Sequence, residues 1–327
     1  MEKRRLGKTD YEISVIGFGA WAIGGSWGDV DDETSMAALH AAVDAGVNFI
    51  DTADVYGDGR SERLVARLRD ERDEPIVIAT KAGRRAPVQR VEEYTAEHLE
   101  SWIDRSLSNL RTERLDLVQL HCPPTDLYYR PEVFEALDRL VEAGKVAHYG
   151  VSVERVEEAL KAIDYPGVAS VQIIYNIFRQ RPAERFFAAA RDADVGIIVR
   201  VPLASGLLTG KITATTTFAE NDHRNFNRHG ESFDVGETFA GVDFERGLEV
   251  VDELRKLVPE DGDLATMALR FCYSDPAVTT VIPGAKRPDQ AQANAAAGDA
   301  GVLDGATLAR LRELYWDRVA PSVHYRW

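Results

Sequence analysis

Short apolar runs that each stop at a polar residue, separated by helical patterns, constrain this chain more than any other feature. One run closes at Asp51, with Tyr56 five residues on in Asp-Thr-Ala-Asp-Val-Tyr-Gly. A second, residues 75–80, closes at Lys81, and a third, residues 115–120, closes at His121. Continuous apolar runs of this length between helical segments read as parallel strands covered by helices on both faces. Such strands all deliver their last residues to the same end of a sheet.

Further runs at 15–19, 146–151, 169–173, 196–199 and 279–282 bring the predicted strands to eight. Helical patterns start near Asp31, Ser61 and Thr95, and later span 244–258 and 263–274. Eight strand-helix units without a break in composition predict a closed (β/α)8 TIM barrel, an α/β fold, as one domain over residues 1–327. Residues 5–14 read as two short strands around a turn that plugs the barrel floor. Extra helices are expected at the C-terminal end. The stretch 208–243 is long and irregular, which in a compact fold marks a functional or mobile segment.

Composition excludes several classes. Hydrophobic residues make up 45% and charged residues 28%, the balance of an ordinary globular protein. A formal net charge of −15 argues against nucleic acid or an anionic membrane as partner, since phosphate binding needs clustered Lys and Arg. Cys122 and Cys272 are the only cysteines, so a reducing, cytoplasmic setting is expected rather than a disulfide framework. The N-terminal segment has no apolar stretch long enough for a signal or a membrane span. Homo-oligomerisation is left open.

In a (β/α)8 fold, chemistry gathers at the carboxyl ends of the strands. Those ends offer Trp21, Asp51 with Tyr56, Lys81, His121, Ser152, Gln172, Arg200 and Gly284. Taken singly, Asp51 reads as a turn residue, Tyr56 as a half-buried aromatic, Lys81 as a solvated charge and His121 as a turn histidine. Together they make a proton donor with its partners. Tyrosine has a reference pKa of about 10, so an adjacent ammonium from Lys81, itself fixed by Asp51, is expected to lower it. His121 would hydrogen-bond a substrate carbonyl. No metal is required, and Cys122 is assigned no role.

The segments Asp-Thr-Ala-Asp-Val-Tyr-Gly at 51–57, Thr-Lys at 80–81 and Gln-Leu-His-Cys-Pro-Pro at 119–124 resemble the aldo-keto reductase family. Tyr-Gly-Val-Ser at 149–152, Gln172 with Tyr175-Asn176, and the Gly206 to Lys211 segment follow in the family's order, as does Ile282-Pro283-Gly284. The resemblance implies an NADPH-dependent reductase of aldehydes or ketones, with Tyr56 as general acid and Asp51, Lys81 and His121 completing a tetrad. It implies cofactor contacts from Gly19, Ala20, Trp21 and Asp51, with Ser152 and Gln172 at the nicotinamide carboxamide. Arg200, Val201, Pro202, Leu203, Ser205, Gly206, Leu207 and Lys211 would follow the cofactor toward its pyrophosphate. Ile282, Pro283, Gly284, Lys286, Gln290 and Asn294 would complete the site, with Lys286 and Arg287 at the 2′-phosphate. Trp21, Trp27, Tyr56 and His121 would wall the substrate pocket.

Two positions depart from the family pattern. Val153 stands where an Asn is common, and Arg200 stands where an aromatic residue often stacks on nicotinamide. A cation beside a ring that becomes positive on oxidation leads to an expected preference for NADPH over NADP+. The family also includes potassium-channel beta subunits, so a cofactor-binding regulatory subunit is the alternative reading.

Overall fold

The computed structural model describes residues 1–25, 27–260 and 262–327. Strands β1 (Lys3–Arg5) and β2 (Glu12–Ser14) pair antiparallel, with Arg4 opposite Ile13. Eight parallel strands follow: β3 (Phe18–Gly19), β4 (Phe49–Asp51), β5 (Val77–Ala82), β6 (Leu115–His121), β7 (Val146–Ser152), β8 (Val168–Ile174), β9 (Gly196–Arg200) and β10 (Val278–Val281). Each pairs with the next in sequence. The ends of the sheet also meet: Gly17 N–H donates to Val281 O at 2.8 Å, and Val281 N–H donates to Val15 O at 2.9 Å. Those bonds close the barrel and leave no free edge.

The helices between strands are α1 (Asp32–Asp44), α2 (Arg60–Glu71), α3 (Ala96–Leu110), α4 (Pro131–Glu142), α5 (Val156–Ala162) and α6 (Pro182–Asp192). After β9 come the short α7 (His223–Phe226), α8 (Phe244–Leu254) and α9 (Leu264–Tyr273); α10 (Pro288–Ala297), α11 (Gly305–Leu314) and α12 (Ala320–Val323) follow β10. Local chemistry sets several starts. Asp31, Thr95, Asp243, Asp263 and Asp304 each accept a backbone N–H from the first turn of the helix that follows. Pro131, Pro182 and Pro288 occupy the first helical position, where a missing N–H costs nothing.

Period-two alternation sorts the strand side chains. Val118 and Leu120 of β6 face the helices, while Leu117 turns inward with Phe49, Ala79 and Ile198. Leu6 and Ile13 of the N-terminal hairpin join that inner cluster, so the hairpin does plug the barrel floor. Above this apolar layer the same inward register turns polar. Lys81 lies beside Gln119, and His121 beside Ser152, which lies beside Gln172. Parallel pairing in register is therefore what brings residues from distant parts of the chain to one mouth.

The stretch 208–243 is folded rather than loose. Ser205 hydroxyl donates to Glu237 O at 3.0 Å and accepts Phe239 N–H at 3.1 Å, and His223 is fully buried. The C-terminal Trp327 lies under the Arg179 guanidinium, and its indole N–H donates to Asp234 at 3.0 Å. Among the described residues, no helix is long and apolar enough to cross a membrane.

Candidate active site

A cavity of about 680 Å3 opens at the carboxyl end of the barrel. Asp51, Tyr56, His121, Ser152, Gln172 and Arg200 line one part of it; Lys211, Lys286, Arg287, Gln290 and Asn294 line another. Ala20 and Leu207, expected at the cofactor, are fully buried and do not reach the wall. Gly19, Trp21, Val201, Pro202, Leu203, Ser205, Gly206, Ile282, Pro283 and Gly284 do line it.

Lys81 sits under the floor with 1% of its surface exposed. Its ammonium makes an ion pair with Asp51, donates to Thr52 O at 2.9 Å and approaches Tyr56 Oη at 3.3 Å. An ammonium has three protons and accepts nothing. At this contact Tyr56 must therefore accept, which leaves the phenol's own proton to point elsewhere, into the cavity that Tyr56 lines. The turn that carries Tyr56 is held by close backbone approach. A side chain at Gly24 would stand 2.9 Å from Tyr56 Cβ, and one at Gly57, whose φ is +60°, would meet Gly24 O at 2.3 Å.

The sequence-based expectation of a lowered Tyr56 pKa is corrected. Burial raises it above the ordinary phenol range, and although Lys81 pulls it down, Asp51 and Glu237 add to the rise. Burial also works against the Lys81 charge, but Asp51 and the Tyr56 oxygen more than restore it. The resting pair is thus neutral phenol and ammonium. His121 is held well below the usual imidazole range by burial and by Arg84, Lys81 and Arg200, so it is neutral at pH 7. Its ring lies edge-on to Tyr56 with centroids 5.9 Å apart, and its Nδ1 has no hydrogen-bond partner among the described residues.

Arg200 departs from expectation in its surroundings. It pairs with Glu154 at 2.9 Å and Glu237 at 3.4 Å, and Arg84 joins the same two carboxylates at 3.5 and 2.7 Å. Burial raises the Glu154 carboxyl, while Arg200 and Arg84 outweigh burial at Glu237 and hold it low. The two acids offset part of the charge of the two guanidiniums, which weakens the stated cause for a preference between NADPH and NADP+. Cys122 Sγ stands within 4.8 Å of ligand atoms of both acids. Burial pushes its thiol up to about 12, and a cation there would have to displace both arginines.

Sequence reasoning missed several members of the site. Gln119 carried a signal, a polar residue inside an apolar run. Glu154 reads as a solvated charge before a helix, and Glu237, Arg84 and Phe233, like His223 at the start of the four-residue α7, come from stretches without a pattern. His223 packs against Trp21 and Trp27 with centroids 4.7 and 4.3 Å apart, and Phe233 packs on Trp21 at 6.0 Å. They back the aromatic wall. At the other end, Lys286 Nζ donates to Trp27 O at 2.7 Å, Gln290 accepts Lys286 N–H at 3.1 Å, and Arg287 pairs with Asp289 at 2.9 Å.

Asp54, in the same turn as Tyr56, is 0% exposed, and neither carboxylate oxygen meets a hydrogen-bonding side chain among the described residues. Burial and nearby Glu62 push it up to about 7. A folded pKa above the unfolded value of about 3.9 means the native state binds the extra proton, so stability declines as pH rises between those values. Replacing Asp54 by Asn mimics the neutral form. Its melting temperature should exceed the parent's at pH 8, by a difference worth on the order of a few kcal/mol, and converge with it near pH 4. Parallel thermal melts across that range check this.

A barrel with a conjoined Asp, Lys and Tyr at its mouth and a long cleft beside them defines a class of oxidoreductase scaffold. The model of the aldo/keto reductase family matches residues 15–315, and the chain belongs to that family. It is 31% identical over 307 residues to aldo-keto reductase YhdN of Bacillus subtilis, covering 90% of this chain and 87% of that protein. It is 30% identical over 315 residues to a probable voltage-gated potassium channel subunit beta of Arabidopsis thaliana, covering 91% and 92%. The solved glycerol dehydrogenase of Gluconobacter oxydans superposes with a TM-score of 0.79 at 28% identity, covering 97% of this chain and 96% of that one.

Proposed function

We propose that this protein, as one barrel domain over residues 1–327 in the cytoplasm, reduces small aldehydes or ketones with NADPH. The observation that carries the reading is the Lys81 ammonium, which spends its protons on Asp51, Thr52 O and Tyr56 Oη. That arrangement leaves the phenol proton free for a substrate oxygen in the cavity.

The residues present suit a dinucleotide. Ser152 and Gln172 offer a hydroxyl and an amide at one end of the cleft, and Lys211, Lys286 and Arg287 bring positive charge to the other in a chain of net charge −15. The 201–206 segment, Gln290 and Asn294 would hold the middle and the adenine end, beside the start of α10, where free backbone amides favour anions. When bound, NADPH supplies the hydride.

The chain's own residues do the rest. Trp21 and Trp27 shield the reacting carbonyl from water. Neutral His121 donates one hydrogen bond to the carbonyl oxygen and orients it, and Tyr56 gives that oxygen its proton as negative charge develops. Lys81 then stabilises the phenolate left behind, and Asp51 keeps Lys81 charged and in place. Because the phenol starts protonated, reduction should hold steady through neutral pH and decline only under alkaline conditions.

The test is NADPH oxidation, followed by absorbance, across aldehydes, ketones, quinones and sugars, with tryptophan emission as an independent measure of binding. Turnover with at least one carbonyl class is expected. The relative described as a channel subunit keeps a regulatory reading in play. Tight NADPH binding without oxidation of any carbonyl would favour it, and no binding at all would defeat both readings.

A further inference from the structure

Gln119 is fully buried behind the cavity floor, on β6, beside Lys81 in register and two residues before His121. Its side-chain amide donates to Asp51 Oδ2 at 3.1 Å. Gln172 donates to the same carboxylate oxygen at 2.7 Å and to Gln119 Oε1 at 3.3 Å. Asp51 accepts only, so both amide nitrogens must face it, which fixes the orientation of all three groups. The other carboxylate oxygen, Oδ1, takes the Lys81 ammonium.

This triangle leaves Gln172 with a single free polar direction. Its N–H groups are committed to Asp51 and Gln119, so its carbonyl, 3.5 Å from Ser152 Oγ, is what it can offer the cavity. The same Asp51 that orients Gln172 also holds the cation beneath Tyr56. Gln119 touches both and lines no part of the cavity.

We propose that Gln119 is a positioning residue that couples cofactor recognition by Gln172 to proton delivery by Tyr56 through the shared Asp51 carboxylate. The inference rests on the reductase reading above. Gln119 acts on binding by aiming the Gln172 carbonyl. It acts on turnover by holding Asp51, and with it Lys81, at the distance that supports the phenolate. A buried polar triangle of this kind is worth more intact than its pairwise bonds suggest, and a double-mutant cycle is the means to apportion it.

The experiment is a cycle of Gln119→Met and Gln172→Met, with NADPH affinity read by tryptophan quenching without substrate, kcat read separately, and folding checked by circular dichroism. Gln119→Met alone should weaken NADPH binding and lower kcat, each by roughly tenfold. In the Gln172→Met background the same change should leave NADPH affinity within about twofold, because the residue it acts through is gone, yet still lower kcat through Asp51. Equal loss of affinity in both backgrounds, or an unchanged kcat, overturns the assignment. If the Met variant does not fold, Gln119→Asn, which withdraws the amide by one methylene, carries the same cycle. Parent protein that neither binds NADPH nor turns over a carbonyl defeats the reductase reading itself; a competent parent with additive variants defeats only the role of Gln119.

Discussion

Replacing Tyr56 by Phe is expected to lower kcat by about a hundred- to ten-thousand-fold, the span attributable to a positioned general acid, while NADPH still quenches tryptophan emission with near-parent affinity. The expectation follows from the geometry. The Tyr56 turn packs against Gly24 and the ring stacks on Trp21 at 6.1 Å, so the loss of one oxygen leaves this packing intact. What disappears is the acceptor on Lys81 and the proton offered to the substrate. Single-turnover measurements under saturating NADPH would separate chemistry from binding, and a variant turning over at the parent rate would exclude Tyr56 as the acid.

Lys81→Met should cost stability as well as activity. The lysine and Asp51 are buried, and removing one member of such a pair leaves an uncompensated charge, typically destabilising by about 3–5 kcal/mol. Gln119 and Gln172 still donate to Asp51, which places the expected loss near the lower end, a fall of roughly 4–5 °C in melting temperature for a chain of this size. The double variant Lys81→Met with Asp51→Asn removes the stranded charge. It should recover most of the melting temperature while turnover stays at the level of the single variant. Recovery of turnover would show that the ion pair serves folding alone. A single variant that melts with the parent would mean the pair is not buried in solution as described.

Much of the fold was legible because it rests on periodicity. The runs ending at Asp51, Lys81 and His121 each proved to be the strand they suggested, with the last residues facing one mouth. Boundaries moved where pairing rather than apolarity decides. The first barrel strand narrows to Phe18–Gly19, with Ile16 bridged singly to Val281, and β5 runs one residue past Lys81. The placement of the charged members of the site could be read because polar groups closing three successive apolar runs meet at one end of a parallel sheet, although each alone has an ordinary structural reading. Its electrostatics could not. Whether Lys81 acidifies Tyr56 depends on how much water the phenol keeps, and burial outweighs the cation. Glu154 and Glu237 were invisible for a related reason: a glutamate before a helix and another in an unpatterned loop look like surface charges until the chain folds them onto Arg200.

That same quartet limits how the mouth of this barrel can be redesigned. Exchanging the guanidinium at 200 for a flat ring would leave Glu154 and Glu237 with Arg84 as their remaining ion-pair partner among the described residues. A protein engineer would have to retire Glu154 and Glu237 in the same step, so this position is free to evolve only as part of a set.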